Sequence, residues 1–458
     1  PAYTPDQIEQ ELQKFTQQLS QSSWVAGRID QYVDERRRDL ERQFKGNALK
    51  ERGILAMAAA CVGPDATPVV KRFLNTYHGN RLAQCKVLVQ MLAWVEDTAS
   101  VQLLLSVSGR FRVKTIREEA ALQVQALADR KGWTVDELAD RTVPTAGFED
   151  GPELTLDFGS QQFTLRIDQN LQLILTDATG KILKALPDPK KDDSEELAKE
   201  AKKLYSDAKK QLKTIVESQQ ARLYEAMCTQ RSWRADEWNA FLNQHPVLGR
   251  CCQRLVWALS DGETLVTTFR PLEDGTLTDC QDEVVALDPA HQVRLAHRVT
   301  VGDELARQWQ HHLADYEIQP LFPQFDKPPV SLSSEQATSK AWTTCDGYVI
   351  KASKLRTKAE KSGYARGAAD FERTYTEYFR RFRALECEVV IEFDGIAGEI
   401  SGGKFEDHDV TLAGLSFRRK LEHERKGTRM DLKDVPPVLL CEAVADYEAI
   451  GAMGKKRA

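Results

Sequence analysis

Apolar residues recur at helical spacing throughout the first 132 residues. Gln7 to Leu19 and Ile29 to Phe44 are strongly charged, and the first carries Ile8, Leu12, Phe15 and Leu19 at that spacing. From Gly53 the segments turn apolar and a weak repeat sets in. Ile54-Leu55-Ala56-Met57, Val87-Leu88-Val89-Gln90 and Ala121-Leu122-Gln123-Val124 head three blocks at offsets of 33 and 34 residues. Gly63-Pro64, Glu96-Asp97-Thr98 and Lys131-Gly132 break the blocks, and a second apolar helix follows each: Thr67 to Thr76, Ala99 to Val107, Val135 to Ala139. Paired helices at a fixed period predict an all-α solenoid, because one pair cannot bury its apolar face alone and stacks on the next. An ordinary helical bundle with accidental spacing is the alternative.

The beat changes at Leu154. Leu154, Leu156 and Phe158, then Phe163, Leu165 and Ile167, then Leu171, Leu173 and Leu175 alternate with polar residues, and turn residues lie between the groups. Period two predicts an antiparallel β-meander with one wet face, closing on Ile182-Leu183. Pro187-Asp188-Pro189 ends it, and a long helix is predicted from about Ser194 to Met227. Between Asp188 and Glu217 that region has eight Lys and eight acidic residues, which marks a solvated face more than a nucleic-acid surface. A mixed region follows: helix Ala235 to Asn243, strands around Arg254 to Leu259, Thr264 to Phe269, Glu283 to Leu287 and Val293 to His297, and helix Asp303 to Ala314. Pro320, Pro323, Pro328, Pro329 and Ser331 to Ser334 read as a linker. Beyond it, helices near Ser353 to Ser362 and Gly367 to Leu385 and strands at Glu388 to Phe393, Val410 to Phe417 and Val438 to Cys441 predict a small α/β piece. The fold class is therefore multi-domain α+β, divided into 1–132 (helical repeats), 133–325 (core domain), 326–346 (linker) and 347–458 (C-terminal domain).

Composition narrows the class. Of 458 residues, 41% are hydrophobic and 29% charged, and 63 Lys plus Arg against 69 Asp plus Glu give a net charge of -6. The chain is not strongly basic, though a local basic patch is compatible with that balance. No apolar run approaches the roughly 20 residues of a bilayer-spanning helix, so no membrane partner is expected. Nine cysteines without a C-x-x-C pair predict reduced thiols, several packing as small hydrophobes, in a cytoplasmic protein. The first residues carry no signal peptide, and the missing initiator Met points to processing or to a piece of a longer chain.

Candidate chemistry is sparse. His311, His312 and Asp315 offer an i, i+4 His–Asp pair and Asp407-His408-Asp409 a local cluster, but neither has the further ligands of a metal site. Cys345 lacks a His that the sequence can place beside it. The Gly-rich segment Gly395 to Gly403 lacks the spacing of a phosphate loop. No metal, cofactor or catalytic residue is therefore expected. One stretch stands out: Tyr364, Phe371, Tyr375, Tyr378, Phe379 and Phe382 interleave with Arg366, Arg373, Arg380, Arg381 and Arg383. Arg beside aromatics can grip phosphates and stack on bases or anchor a protein interface. Phe371, Tyr375, Tyr378 and Phe382 also fall at helical spacing, which predicts a buried stripe.

The junction Gly132-Trp133-Thr134-Val135-Asp136-Glu137-Leu138-Ala139-Asp140-Arg141-Thr142-Val143-Pro144-Thr145-Ala146-Gly147-Phe148 is distinctive. With Lys184 to Pro189, Gln219 to Met227, His245-Pro246, Leu255-Val256-Trp257 and Asp315 to Ile318, it resembles the bacterial family built around domain of unknown function 4132, whose members include MolR-like (molybdate metabolism regulator) proteins. The resemblance covers about Gly109 to Phe325, and Asp434 to Val438 is similar to a motif of the C-terminal domain in those proteins, which here stops soon after. It implies HEAT-like helices leading into a shared domain, and partnership with a MoxR-type ATPase or a von Willebrand A-type protein. It carries over no catalytic residue. Its motif residues here are Trp133, Asp136, Glu137, Asp140, Arg141, Arg222, His245 and Trp257.

Three functions follow as expectations: a non-catalytic interaction or scaffold protein of a bacterial stress or regulatory system, binding a protein partner; a nucleic-acid-associated protein using Arg366, Arg373, Tyr375, Arg380 and Arg381; or an enzyme with a site between the core and C-terminal domains. Whether the polar members of the 132–148 junction face a cleft or a core separates these readings.

Overall fold

The structure is a computed structural model, described for residues 4–20, 29–42, 52–149, 151–370, 374–397, 407–420 and 427–456. Its chain contacts divide it into two compact units, 1–144 and 145–458.

The first unit is helical throughout its described residues. Helices α1 (Pro5–Ser20) and α2 (Ile29–Arg42) share a small core of Ile8, Leu12 and Leu40. Six more helices follow: α3 (Arg52–Val62), α4 (Ala66–Tyr77), α5 (Leu82–Leu92), α6 (Thr98–Arg110), α7 (Lys114–Lys131) and α8 (Val135–Arg141). One continuous core runs through them, from Val70 and Leu74 through Val89 and Leu104 to Ile116, Leu127 and Leu138. The breaks are those the residues dictate. Gly63 takes a left-handed φ of 57° ahead of Pro64, the Asp97 carboxylate caps α6, and Gly132 closes α7 at φ 70°. One expectation needs correcting. Gly53–Tyr77 is a 25-residue helical stretch that is long and apolar enough by composition to cross a membrane, although the turn at Gly63–Asp65 interrupts it.

The second unit opens with the predicted meander: β1 (Glu153–Asp157), β2 (Gln162–Ile167), β3 (Leu173–Asp177) and β4 (Ile182–Leu183), antiparallel in that order. Its wetter face leaves the other to lean on α9 (Glu195–Thr229), a 35-residue helix that Ser194 caps and whose Ala198, Ala201 and Ala208 are buried. After β5 (Ser232–Arg234), α10 (Ala235–Trp238) passes into a π-helical turn, Asn239–Asn243, and α11 (Leu248–Cys252) follows. Strands β6 (Trp257–Asp261), β7 (Thr264–Pro271), β8 (Leu277–Thr278) and β9 (Gln292–Leu295) complete an antiparallel sheet ordered β5-β9-β6-β7-β8. The strand expected at Glu283 to Leu287 is absent. Beside the two-residue β8, Val284 makes one isolated bridge to Thr278, and Asp282, at φ 65°, turns the chain just before it. Helices α12 (Arg298–Val301) and α13 (Asp303–Asp315) cover this sheet with Trp309, whose indole donates to Thr268.

The segment 326–346 is docked rather than free. Lys327 joins a buried ion pair, Ser333 caps α14 (Ser334–Thr338), and β10 (Ala341–Trp342) pairs into the last sheet. That sheet comprises β11 (Tyr348–Lys351), β12 (Ala365–Arg366), β13 (Thr374–Phe382), β14 (Cys387–Ala397), β15 (Asp409–Arg419) and β16 (Thr428–Arg429), with α15 (Ala352–Lys361) and α16 (Pro437–Gly451) packed against it and β17 (Lys455–Lys456) at its edge. Every pairing is antiparallel, so the C-terminal piece is an eight-stranded sheet larger than predicted.

Two expectations fail here for physical reasons. The helix predicted at Gly367 to Leu385 is instead a connection that follows β12 (residues 371–373 lie outside the described residues), strand β13 and a single 3-10 turn, Arg383–Leu385. The register of β13 shifts between Tyr375 and Glu377, so Tyr375, Tyr378 and Phe382 all turn inward. A bulged strand thus reproduces i, i+3, i+7 spacing. The strand predicted at Val438 to Cys441 is the first turn of α16, which Pro437 opens; a short apolar run buried all round cannot be told from a strand by period alone.

Gly249 sits where a Cβ would collide with the Asn243 carbonyl of the π-helical turn. Backbone cannot give way as a side chain does, so Gly249→Ala is expected to lower the unfolding free energy by about 1–3 kcal/mol, measured by urea denaturation.

Candidate functional site

The resemblance-motif residues serve as local supports. Thr134 and Glu137 close a reciprocal cap at the start of α8, with Thr134 N–H donating to the Glu137 carboxylate at 2.6 Å. Asp136 lies in the same first turn, Asp140 is buried, and the Arg141 guanidinium lies 4.7 Å from the Trp133 ring centroid. Arg222 donates to Gln219 on its own helix. The His245 Nδ1 accepts the backbone N–H groups of Val247 and Leu248, which orders the loop into α11. Trp257 donates to the Cys252 carbonyl and packs edge-on against Trp233 and Trp238.

The Arg–aromatic stretch is split by its strand. Tyr375 and Tyr378 are buried with their hydroxyls 2.9 Å apart, so neither ring offers a stacking face to solvent. Arg366 is exposed over the Tyr375 ring, Arg381 donates to the Lys420 carbonyl, and Arg373 lies outside the described residues. The metal candidates also separate. His311 pairs with Asp315, whereas the buried His312 turns to Asp282; Asp407 caps Ser353, His408 contacts the Gly395 carbonyl, and Asp409 pairs with Lys351. Of the Gly-rich stretch, residues 398–403 lie outside the described residues. Cys345 is buried against Gly451, and burial raises its thiol pKa.

Arg380 leads to a polar cluster that the sequence reading missed. It lies 4.4 Å from the Tyr224 ring of α9 and donates to the Ser362 carbonyl. Tyr224 in turn donates to Glu442 of α16 at 2.5 Å. The same carboxylate, 2% exposed, takes Lys327 Nζ at 2.7 Å and His297 Nε2 at 3.3 Å. Because His297 Nδ1 accepts the Val299 N–H, the ring proton is placed on Nε2, facing the carboxylate. Burial pushes the Glu442 pKa up, but the His297 and Tyr224 hydrogen bonds and the Lys327 charge outweigh it and hold it below the usual glutamate range. Asp446, one turn on and 3.9 Å from Lys327, has weaker partners, so burial raises its pKa. Burial likewise raises the Tyr224 hydroxyl and the neighbouring Cys228 thiol, leaving both protonated. The cluster therefore clasps α9, α16 and segment 326–346 together. Its signal in the sequence was Glu442 itself, one acid in an otherwise apolar run, which needs a buried partner.

A different kind of surface lies on α3. It has no charged residue from Gly53 to Val62, yet Ile54, Met57, Cys61 and Val62 face water.

Comparison with known proteins places part of the chain. Residues 180–364 match the family described as "Domain of unknown function (DUF4132)", which takes in α9, the five-stranded sheet and the start of the C-terminal sheet but not the 132–148 junction. The chain is similar to "Uncharacterized protein YehI" of Escherichia coli (strain K12), 31% identical over 274 residues, which cover 58% of this chain and 23% of that relative. The chain thus spans about a quarter of that relative's length. No solved structure matches it.

The clasp has a pH signature. The lowered Glu442 pKa contributes stability that is complete above the ordinary glutamate value of about 4.3 and is lost as pH falls through the lowered one. Asp446, raised, acts in the opposite sense. Lys327→Met is expected to cost about 3 kcal/mol at pH 7, and Glu442→Gln to flatten the acid limb, both read from denaturant midpoints across pH 3 to 7.

Proposed function

We propose that this chain is a non-catalytic interaction module that docks a protein partner on the apolar face of α3. The observation that carries this reading is that Ile54 is 55% and Met57 61% exposed on a helix with no charged residue after Arg52. A helix face turned to water is normally polar, and apolar surface left open marks an interaction site. At 11 residues, α3 is about 16 Å long, too short for a roughly 30 Å bilayer core, and the Gly63–Asp65 turn bends the chain beyond it.

In this reading the pairs α3 to α8 are HEAT-like repeats of a MolR-like scaffold. Their succession at about one pair per 33 residues and their shared core support it. The partner is a protein of a bacterial stress or regulatory system in the cytoplasm, of the MoxR-type ATPase or von Willebrand A-type class that the resemblance implies. Nucleic-acid association draws less support, since the Tyr375 and Tyr378 rings are buried.

The double substitution Ile54→Glu with Met57→Glu is expected to leave stability within about 0.5 kcal/mol of the parent. It is expected to weaken partner binding more than about tenfold. The measurement is stoichiometric co-purification from the native host, and repeated recovery of the parent chain alone sinks the reading. Flotation of the parent with lipid vesicles, abolished by the same substitutions, assigns the face to a membrane instead.

A further inference from the structure

A second binding feature lies in the second unit, independent of α3. A cleft of about 200 Å³ opens where the β2–β3 turn meets α11, the end of β7 and the chain leaving α13. Arg250, Arg254 and Arg270 all line it. Arg250 is paired with Glu273 at 2.8 Å. Arg254 Nε donates to the Gln319 carbonyl and Arg270 Nη1 contacts the Gln253 and Pro271 carbonyls, but among the described residues neither guanidinium forms an ion pair with a carboxylate. Arg270 is only 4% exposed, and its Nε has no hydrogen-bond partner. The Asp282 carboxylate acts on Arg270 through space but is hydrogen-bonded to His312 and Tyr316, so the guanidinium is out of water without a direct acidic partner, a cost that proteins ordinarily offset with a paired acid.

We infer that this cleft binds a carboxylate carried on a short aliphatic stem, gripped by Arg254 and Arg270. Three features fix the class. The planar guanidinium fork matches a carboxylate in bidentate geometry. The lining holds three arginines against Glu273 and Glu317, and the Asp168 and Asp282 charges also act on Arg254 and Arg270, so the site carries little net positive charge and favours a carboxylate monoanion over a phosphate dianion. The cleft is small, about 200 Å³, which suits a carboxylate and a few carbons. Leu272, Ile318 and the Tyr316 ring supply the apolar wall for those carbons. The carboxylate has two sources, a small organic acid or the C-terminus of a polypeptide.

Calorimetric titration of the full chain at fixed ionic strength separates the outcomes. Butyrate is expected to bind with millimolar or better affinity, butyramide not to bind, and inorganic phosphate to bind more weakly than butyrate. Arg254→Gln, checked for native circular dichroism, is expected to weaken butyrate at least tenfold, with Arg270→Gln doing the same if it folds. The tripeptide Gly-Ala-Leu and its C-terminal amide identify the source: binding of the free acid tighter than butyrate and lost in the amide assigns a polypeptide terminus, and tighter butyrate assigns a small acid. No butyrate binding up to about 20 mM, equal binding of butyramide, tighter phosphate, or unchanged affinity in Arg254→Gln overturns the inference.

Discussion

A single ionised carboxyl in the interior organises the second unit. Glu442 brings together groups from distant parts of the chain: Tyr224 from the long helix, His297 from the end of the five-stranded sheet and Lys327 from the segment after α13. Each donor answers a lone pair that would otherwise be stranded without water, so the elements carrying them are fixed relative to α16. The hydrophobic cores around it supply most of the cohesion, but they are tolerant of sliding. The directional bonds to one carboxylate are not, and they specify which helix sits over which sheet.

This arrangement turns a region that reads as a Pro- and Ser-rich linker into part of the packed structure. The 326–346 segment contributes a charge to the clasp, a capped helix and a strand to the last sheet. Composition describes the backbone preferences of such a stretch. It says nothing of a lysine recruited by a glutamate 115 residues further on.

Much of the local architecture was legible where one physical rule dominated. The alternation from Leu154 gave the meander because a two-sided surface with one wet face admits no other beat, and the helices of the first unit followed from their period, breaks and caps. Legibility failed where two geometries share a spacing. Tyr375, Tyr378 and Phe382 read as a helix because a bulge in β13 shifts side-chain parity by one residue. Val438 to Cys441 read as a strand because burial on all sides erases the period. The surfaces proposed for binding were least legible. Arg250, Arg254 and Arg270 converge only through tertiary packing, and the open face of α3 depends on what fails to cover it.

The length of α9 has a mechanical corollary. At 1.5 Å per residue its 35 residues form a strut of about 52 Å. Near its first turn Ser194 N–H is tied to the Phe158 carbonyl of the meander, and near its last Tyr224 is anchored to Glu442. A hydrogen-bonded rod cannot shorten without breaking backbone pairs, so the meander and α16 are held at a set span. A push on the meander is passed along the rod to its far anchorage.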